Sequence, residues 1–204
     1  MDMSVIVPCH NLEKFIDPLL VSLRLQVLQF YDVELIFVCD ACEDRTEEKI
    51  KKFNFNDIYK KITVLNTNFK SAGLARNEGM KIAEGEYIWF MDGDDWLVDI
   101  HAIVQVISAL NLTGSPVIRF DYEAPGFHAK GHPSMVWQYG YRKDFIEDIP
   151  FDKEQPHEDL RFNIKVKDKL NGAIPYLEEV LYHYNYLREN SNMYQYIKYK
   201  HIRY

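Results

Sequence analysis

The sequence is short of cysteine, of net positive charge and of long apolar runs, and each shortage removes a class of protein. Three cysteines in 204 residues are too few, and odd in number, for a disulfide framework. They point to a reducing compartment, so a cytoplasmic location is expected. Lys and Arg number 24 against 31 Asp and Glu, a formal charge of −7. A general grip on nucleic-acid phosphates is thereby disfavoured. An anionic ligand would need a metal or a few local cations. No window reaches the roughly 18 apolar residues of a membrane span. The opening "MDMSVIVPCHN" has Asp2 and no basic region before its short apolar run, which reads as a strand rather than a secretory leader. Internal repeats and low-complexity linkers are also missing. What is present is core material: hydrophobic residues make up 47%, with 14 Tyr and 12 Phe to pack it or to line clefts.

Short β-branched runs at 4–8, 33–39, 61–66 and 86–92 read as buried strands. Helical patterns separate them over 12–30, 43–53 and 73–85, and a further one covers 99–110. Pro18 suits the start of the first helix, and Gly85 suits a C-cap for the third. Strict alternation of strand and helix predicts right-handed crossovers and a mostly parallel α/β sheet, Rossmann-like, with helices on both faces. The alternation stops near 112. A strand is expected at 115–123 and a Gly/Pro/His loop at 124–134. The tail is Tyr-rich and turns basic.

Sheets of this kind bind ligands at the carboxyl ends of their strands. Here those ends read "PCHN", "CDACED" and "MDGDD". In the last, Asp92, Asp94 and Asp95 crowd four positions. Like charges so close raise one another's pKa unless a cation sits among them. Mg²⁺ or Mn²⁺ suits such oxygens and also takes diphosphate. A solvated acidic turn with an N-capping Asp is the plainer alternative. An EF-hand is excluded, because the sixth and twelfth loop positions would be Leu97 and Ile103. A dehalogenase-type phosphatase motif usually lies on the first strand, whereas this one follows the fourth.

Small residues at 71–73 allow close backbone approach to a ligand, and Arg76 can pair with phosphate. Glu158 and Asp159 precede a helical pattern; one could be a general base, although acids also simply favour helix starts. His183 and Arg188 could reach a metal or diphosphate, while a His among tyrosines also serves packing. Cys39 and Cys42 have dithiol spacing. Asp40, Glu43 and Asp44 around them oppose a thiolate, which argues against redox chemistry.

Taken in order, these stretches resemble inverting glycosyltransferases of family 2, which have the GT-A fold. "SVIVPCHN" resembles the opening strand V-S-V-I-I-P-x-Y-N, with His10 at the usual Tyr. "VCDACEDRT" is similar to V-D-D-G-S-T-D-x-T, with Cys39 and Ala41 at common Asp and Gly positions. "GLARNEG" resembles G-x-A-R-N-x-G, and "FMDGDDWL" resembles F-L-D-x-D-D. "YRKDFIEDIPFD…HEDLRFNIKV" and "YNYLRENS" match later family segments, so the likeness runs from about 4 to 191.

The resemblance implies a nucleoside-diphosphate sugar donor, commonly UDP, and Mn²⁺ or Mg²⁺. Residues 1–111 would form the nucleotide-sugar-binding half and 112–204 the acceptor and catalytic-base half of one globule. Pro8, His10, Asn11, Asp40, Arg76, Asp92 and Arg188 would line the donor. Asp94, Asp95 and His183 would be metal-ligand candidates, and Asp159 the catalytic base. The acceptor would be a hydroxyl on a glycan or lipid-linked glycan, as in polysaccharide biosynthesis. The basic, Tyr-rich end (Lys198, Lys200, Arg203) could touch an anionic membrane as a peripheral contact, or pack its rings on the body. A non-catalytic nucleotide- or glycan-binding module on the same fold is the alternative.

Overall fold

A computed structural model describes residues 1–125, 127–129, 135–153 and 157–187. Four strands, β1 (Met3–Cys9), β2 (Val33–Asp40), β3 (Lys61–Thr67) and β4 (Tyr87–Phe90), lie parallel in the order β3-β2-β1-β4. Their crossovers carry α1 (Asp17–Arg24), α2 (Thr46–Lys52) and α3 (Ala72–Ile82). Every residue of β2 and β4 is buried. That follows from neighbours at both edges and cover on both faces, and it explains their nearly unbroken apolar sequences.

The chain continues through β5 (Trp96–Leu97), α4 (Ala102–Thr113), β6 (Val117–Ala124) and β7 (Phe127–Ala129). A 3₁₀ turn (Val136–Gln138) leads into β8 (Tyr139–Arg142), α5 (Lys143–Ile146), α6 (Glu158–Leu170) and β9 (Tyr176–His183). The full order is β3-β2-β1-β4-β8-β6-β9-β5, with β7 on β6. β8 runs against both β4 and β6, and β9 runs with β6. The carboxyl ends of β1, β2, β4, β6 and β9 therefore share one edge of the sheet.

Strand alternation sends side chains to two cores. Val5, Val7, Phe37 and Trp89 pack with Leu19, Ile103, Trp137 and Tyr182 on one face. Ile6, Ile36 and Phe90 pack with Tyr141, Phe151 and Phe162 on the other. Phe151 and Phe162 stack with centroids 4.0 Å apart, which clamps the first turns of α6 against the sheet.

Two expectations change. The helix expected over 12–30 is the shorter α1. Pro18 does sit in its first turn, but the N–H groups of Leu12 and Glu13 go to Thr46 and Asp44 instead of continuing a helix. Gly85 is not the C-cap of α3, which ends at Ile82 with Ala83 extended. Gly85 is small because the chain passes β1 there: a Cβ would lie 2.4 Å from the Ser4 nitrogen. The expected mostly parallel sheet is what forms, with its antiparallel pairings confined to pairs that involve strands beyond β4. No described helix is long and apolar enough to cross a membrane.

Candidate functional site

The loops after β1 and β2 are laced together by carboxylates. Asp44 accepts from the Glu13 N–H at 2.9 Å, the Thr46 N–H at 3.0 Å and the Thr46 hydroxyl at 2.5 Å. Burial pushes its pKa up, but these donors outweigh that and hold it below the usual carboxylate range. Asp40 is buried and also takes three donors: the Thr67 hydroxyl (2.9 Å), the Phe69 N–H (2.6 Å) and the Ser71 N–H (2.7 Å). It therefore anchors the loop entering α3. Ala41 follows at φ 51°, a left-handed conformation suited to the Gly that the resemblance places there.

His10 lies exposed beside this loop. Its Nδ1 is 2.7 Å from the Asp40 carbonyl oxygen, which assigns the proton to Nδ1 and leaves Nε2 as an acceptor, 3.4 Å from the Asn11 amide. Asn11 in turn accepts from the Glu43 N–H at 2.8 Å. Pro8, His10, Asn11 and Asp40 are thus brought to one corner of the sheet edge.

The three thiols are free. A hydrogen bond with Cys42 lowers the Cys39 pKa, but Cys9 and burial push it up to about 12. Cys42 is raised as well, by its bond to Cys39 and by burial. Neither is a ready thiolate, so the redox reading gains nothing from the structure.

The acidic turn after β4 is built from the opposite half of the chain. Tyr182 of β9 accepts from the Asp92 N–H at 2.9 Å and donates to Asp95 Oδ2 at 2.8 Å. The Asn185 N–H donates to Asp95 Oδ1 at 2.8 Å. Tyr182 is itself held by stacking on Trp137, with centroids 4.6 Å apart. Burial, then the charges of Asp94 and Asp92, drive Asp95 well above the ordinary carboxylate range despite those two donors. Gly93 lets the turn close on the loop after β1, because a Cβ there would meet Leu12 Cδ1 at 2.4 Å.

His183 does not join this turn. Its ring stacks on Trp96 at 3.8 Å, and Nδ1 lies 2.9 Å from Glu123. Among the described residues no three His, Cys, Asp or Glu side chains gather as a metal cage. β9 pairs its last residue, His183, with Trp96, and that cross-strand neighbour on the same face stacks on the imidazole expected as a ligand candidate beside Asp94 and Asp95. Arg188, Lys198, Lys200 and Arg203 lie outside the described residues.

Arg76 joins the two halves. Its side chain is 3% exposed. One terminal nitrogen lies 2.7 Å from Asp92 Oδ1. The other lies 2.7 Å from Asp159 Oδ1 and 3.5 Å from Glu158 Oε1. The guanidinium carbon sits 5.4 Å from the centroid of the Phe151 ring. Burial alone would lower its pKa, but the carboxylates of Asp159, Asp92 and Glu158 more than reverse this, so the cation is secure. Asp159 occupies the first turn of α6, whose N-cap His157 is in a left-handed conformation, φ 79°. The Asp159 carboxyl is raised to about 7: burial pushes it up most, Arg76 pulls it down, Asp92 and Glu158 push it up, and the Val136 N–H lowers it.

Sequence reading missed Tyr182 and Asn185 as site residues. Their neighbour His183 drew notice as a potential ligand, whereas Tyr182 looked like one more packing ring. The available signal was the apolar end of β9, "VLY", which turns Tyr182 inward toward the acidic turn.

A mostly parallel sheet with an acidic turn at the β4 edge and a separate carboxylate on α6 is the GT-A architecture of sugar-transferring enzymes. Residues 4–179 match the family model described as glycosyl transferase family 2, and the chain belongs to that family. It is 30% identical to poly(ribitol-phosphate) beta-N-acetylglucosaminyltransferase TarS of Staphylococcus aureus, an alignment covering 95% of this chain and 37% of that protein. It is 31% identical to the uncharacterized glycosyltransferase EpsJ of Bacillus subtilis, covering 97% of this chain and 64% of that one. The chain thus spans less than two thirds of either. The crystal structure of S. aureus TarS 1–349 in complex with UDP-GlcNAc matches with a TM-score of 0.82 and 25% identity, over 95% of this chain and 61% of that one.

Proposed function

We propose that the chain transfers a sugar, with inversion, from a UDP-type nucleoside-diphosphate donor to a hydroxyl on a glycan or lipid-linked glycan. The observation that carries this is the arrangement around Arg76: a donor-side acid, Asp92, and a separate carboxylate, Asp159, held on opposite arms of one buried cation. The similarity to a protein solved with UDP-GlcNAc supports that donor. The similarity to a poly(ribitol-phosphate) transferase supports an acceptor hydroxyl on an anionic polymer. The three free thiols fit action in a reducing compartment.

The corner formed by Pro8, His10, Asn11 and the Asp40-anchored loop would receive the nucleotide, and Asp92 would approach the ribose. A divalent cation, Mn²⁺ or Mg²⁺, belongs to this reading. The donor set suits it, because Asp92, Asp94 and Asp95 load the turn with like charge, which adds to burial in driving Asp95 toward protonation. Tyr182 and Asn185 hold the Asp95 oxygens, so Asp94 is the ligand this reading names, with diphosphate and water completing the shell. When bound, such a cation offsets the charge that grows on a departing diphosphate.

The rest is the work of the chain. Asp159 takes the acceptor's hydroxyl proton as that oxygen bonds to the anomeric carbon. The bond from that carbon to the diphosphate oxygen breaks on the opposite face, and the configuration inverts. A carboxyl poised near pH 7 is matched to this task. Calorimetric titration with UDP, with and without Mn²⁺, tests the donor side. Metal-dependent heat is expected; no heat with any nucleoside diphosphate would remove the reading.

A further inference from the structure

The buried fork of Arg76 raises a question that donor binding does not answer. Its two terminal nitrogens are taken by carboxylates, its Nε is buried with no hydrogen-bond partner, and its side chain is 3% exposed. A residue so enclosed is badly placed to grip a base or a diphosphate. It is well placed to govern the carboxylates it touches.

We propose that Arg76 is a positioning residue that aims Asp159 and keeps it available as a proton acceptor, rather than a donor-binding residue. This rests on Asp159 being the base. The geometry supplies two effects. A planar guanidinium fixes Asp159 Oδ1 in direction, because its fork is also tied to Asp92 Oδ1 and its plane is supported by Phe151. The same cation opposes the charges that would hold a proton on Asp159.

Those charges come from every side. Among the described residues, the acidic turn contributes Asp92 and α6 contributes Glu158. The 3₁₀ turn contributes only the Val136 N–H, and β8 contributes Tyr141, whose hydroxyl goes to Asn163 at 2.7 Å. Arg76 is the one cation among these groups. Three carboxylates on one guanidinium also link the two halves of the site: the arm that holds Asp92 is rigidly connected to the arm that holds Asp159.

The test follows the Asp159 carboxyl directly, by carbon NMR of protein labelled at aspartate, with Asp159→Asn to assign the signal. Arg76→Met should raise the Asp159 midpoint by about one pH unit or more, the usual effect of losing a close opposite charge. Arg76→Lys, which keeps charge without the fork, should raise it less. Affinity for UDP with Mn²⁺ should fall by less than about tenfold in both, through the freed Asp92. For turnover, kcat should fall while the donor KM is kept, with recovery at higher pH. A midpoint that does not move in either variant would overturn the proposal. So would a loss of UDP affinity of about tenfold or more with no shift. If Arg76→Met does not fold, Arg76→Lys decides alone. Absence of turnover in the native protein would sink the transferase reading, and the NMR midpoint would still decide what Arg76 does to Asp159.

Discussion

The two halves of the sheet use their carboxylates in opposite ways. At the ends of β1 and β2, Asp40 and Asp44 each receive three donors from neighbouring loops. Their charge is spent locally, and the product is a rigid floor. Between β4 and α6, Asp92, Glu158 and Asp159 share a single guanidinium. Burial first, and then more negative charge than the one counter-ion cancels, leaves the Asp159 carboxyl near its ionisation point at about 7. Saturated acids build; the under-compensated ones are those that the proposed transfer would use to move a proton. The difference lies in what surrounds each group rather than in residue type.

Four variants sharpen or break that contrast. Asp159→Asn should lower turnover by about 10³-fold while leaving UDP affinity intact, because it removes the proton acceptor and keeps the shape. Asp40→Ala should do the reverse in kind. Loss of a buried acid from three donors should cost about 3 kcal/mol in urea unfolding and weaken UDP binding through the loosened 67–71 loop. If Asp40→Ala spared stability and removed only turnover, the division between building and reacting acids would collapse. Tyr182→Phe should cost about 1–2 kcal/mol, since the Asp92 N–H loses its acceptor and Asp95 a donor; denaturant midpoints would read this. The pair Cys39→Ser and Cys42→Ser should have the smallest effect, leaving turnover unchanged in a donor-consumption assay. A large loss there would restore a role for sulfur.

The same contrast divides what the sequence made legible. The parallel half announces itself, because buried strands such as "VELIFVC" and "YIWF" need unbroken apolar runs and the crossovers between them need helical spacing. The acidic turn was readable as three Asp in four positions. β5 and β7, two and three residues long, leave no periodic trace. α1 looked longer than it is, because Leu12 and Ile16 are apolar at helical spacing yet serve a turn tied to α2. Within the site, Asp159 was visible as an acid before a helix. The Arg76 fork was not, since it joins positions 16 and 83 residues apart and local pattern carries no such information. The partners of His183, Glu123 and Trp96, were hidden for the same reason: they are its neighbours only across strands.

The most direct test of the central claim is the pH dependence of single-turnover donor consumption, with Mn²⁺ present and with either native protein or Asp159→Asn. A base must be ionised to accept a proton, so the native rate should be low at acid pH and rise as pH passes through about 7, where Asp159 ionises. In Asp159→Asn the rate should be low throughout and lack that rise. A native rate independent of pH across this range, or a variant that keeps both the rate and the rise, would contradict the assignment of Asp159 as the proton acceptor.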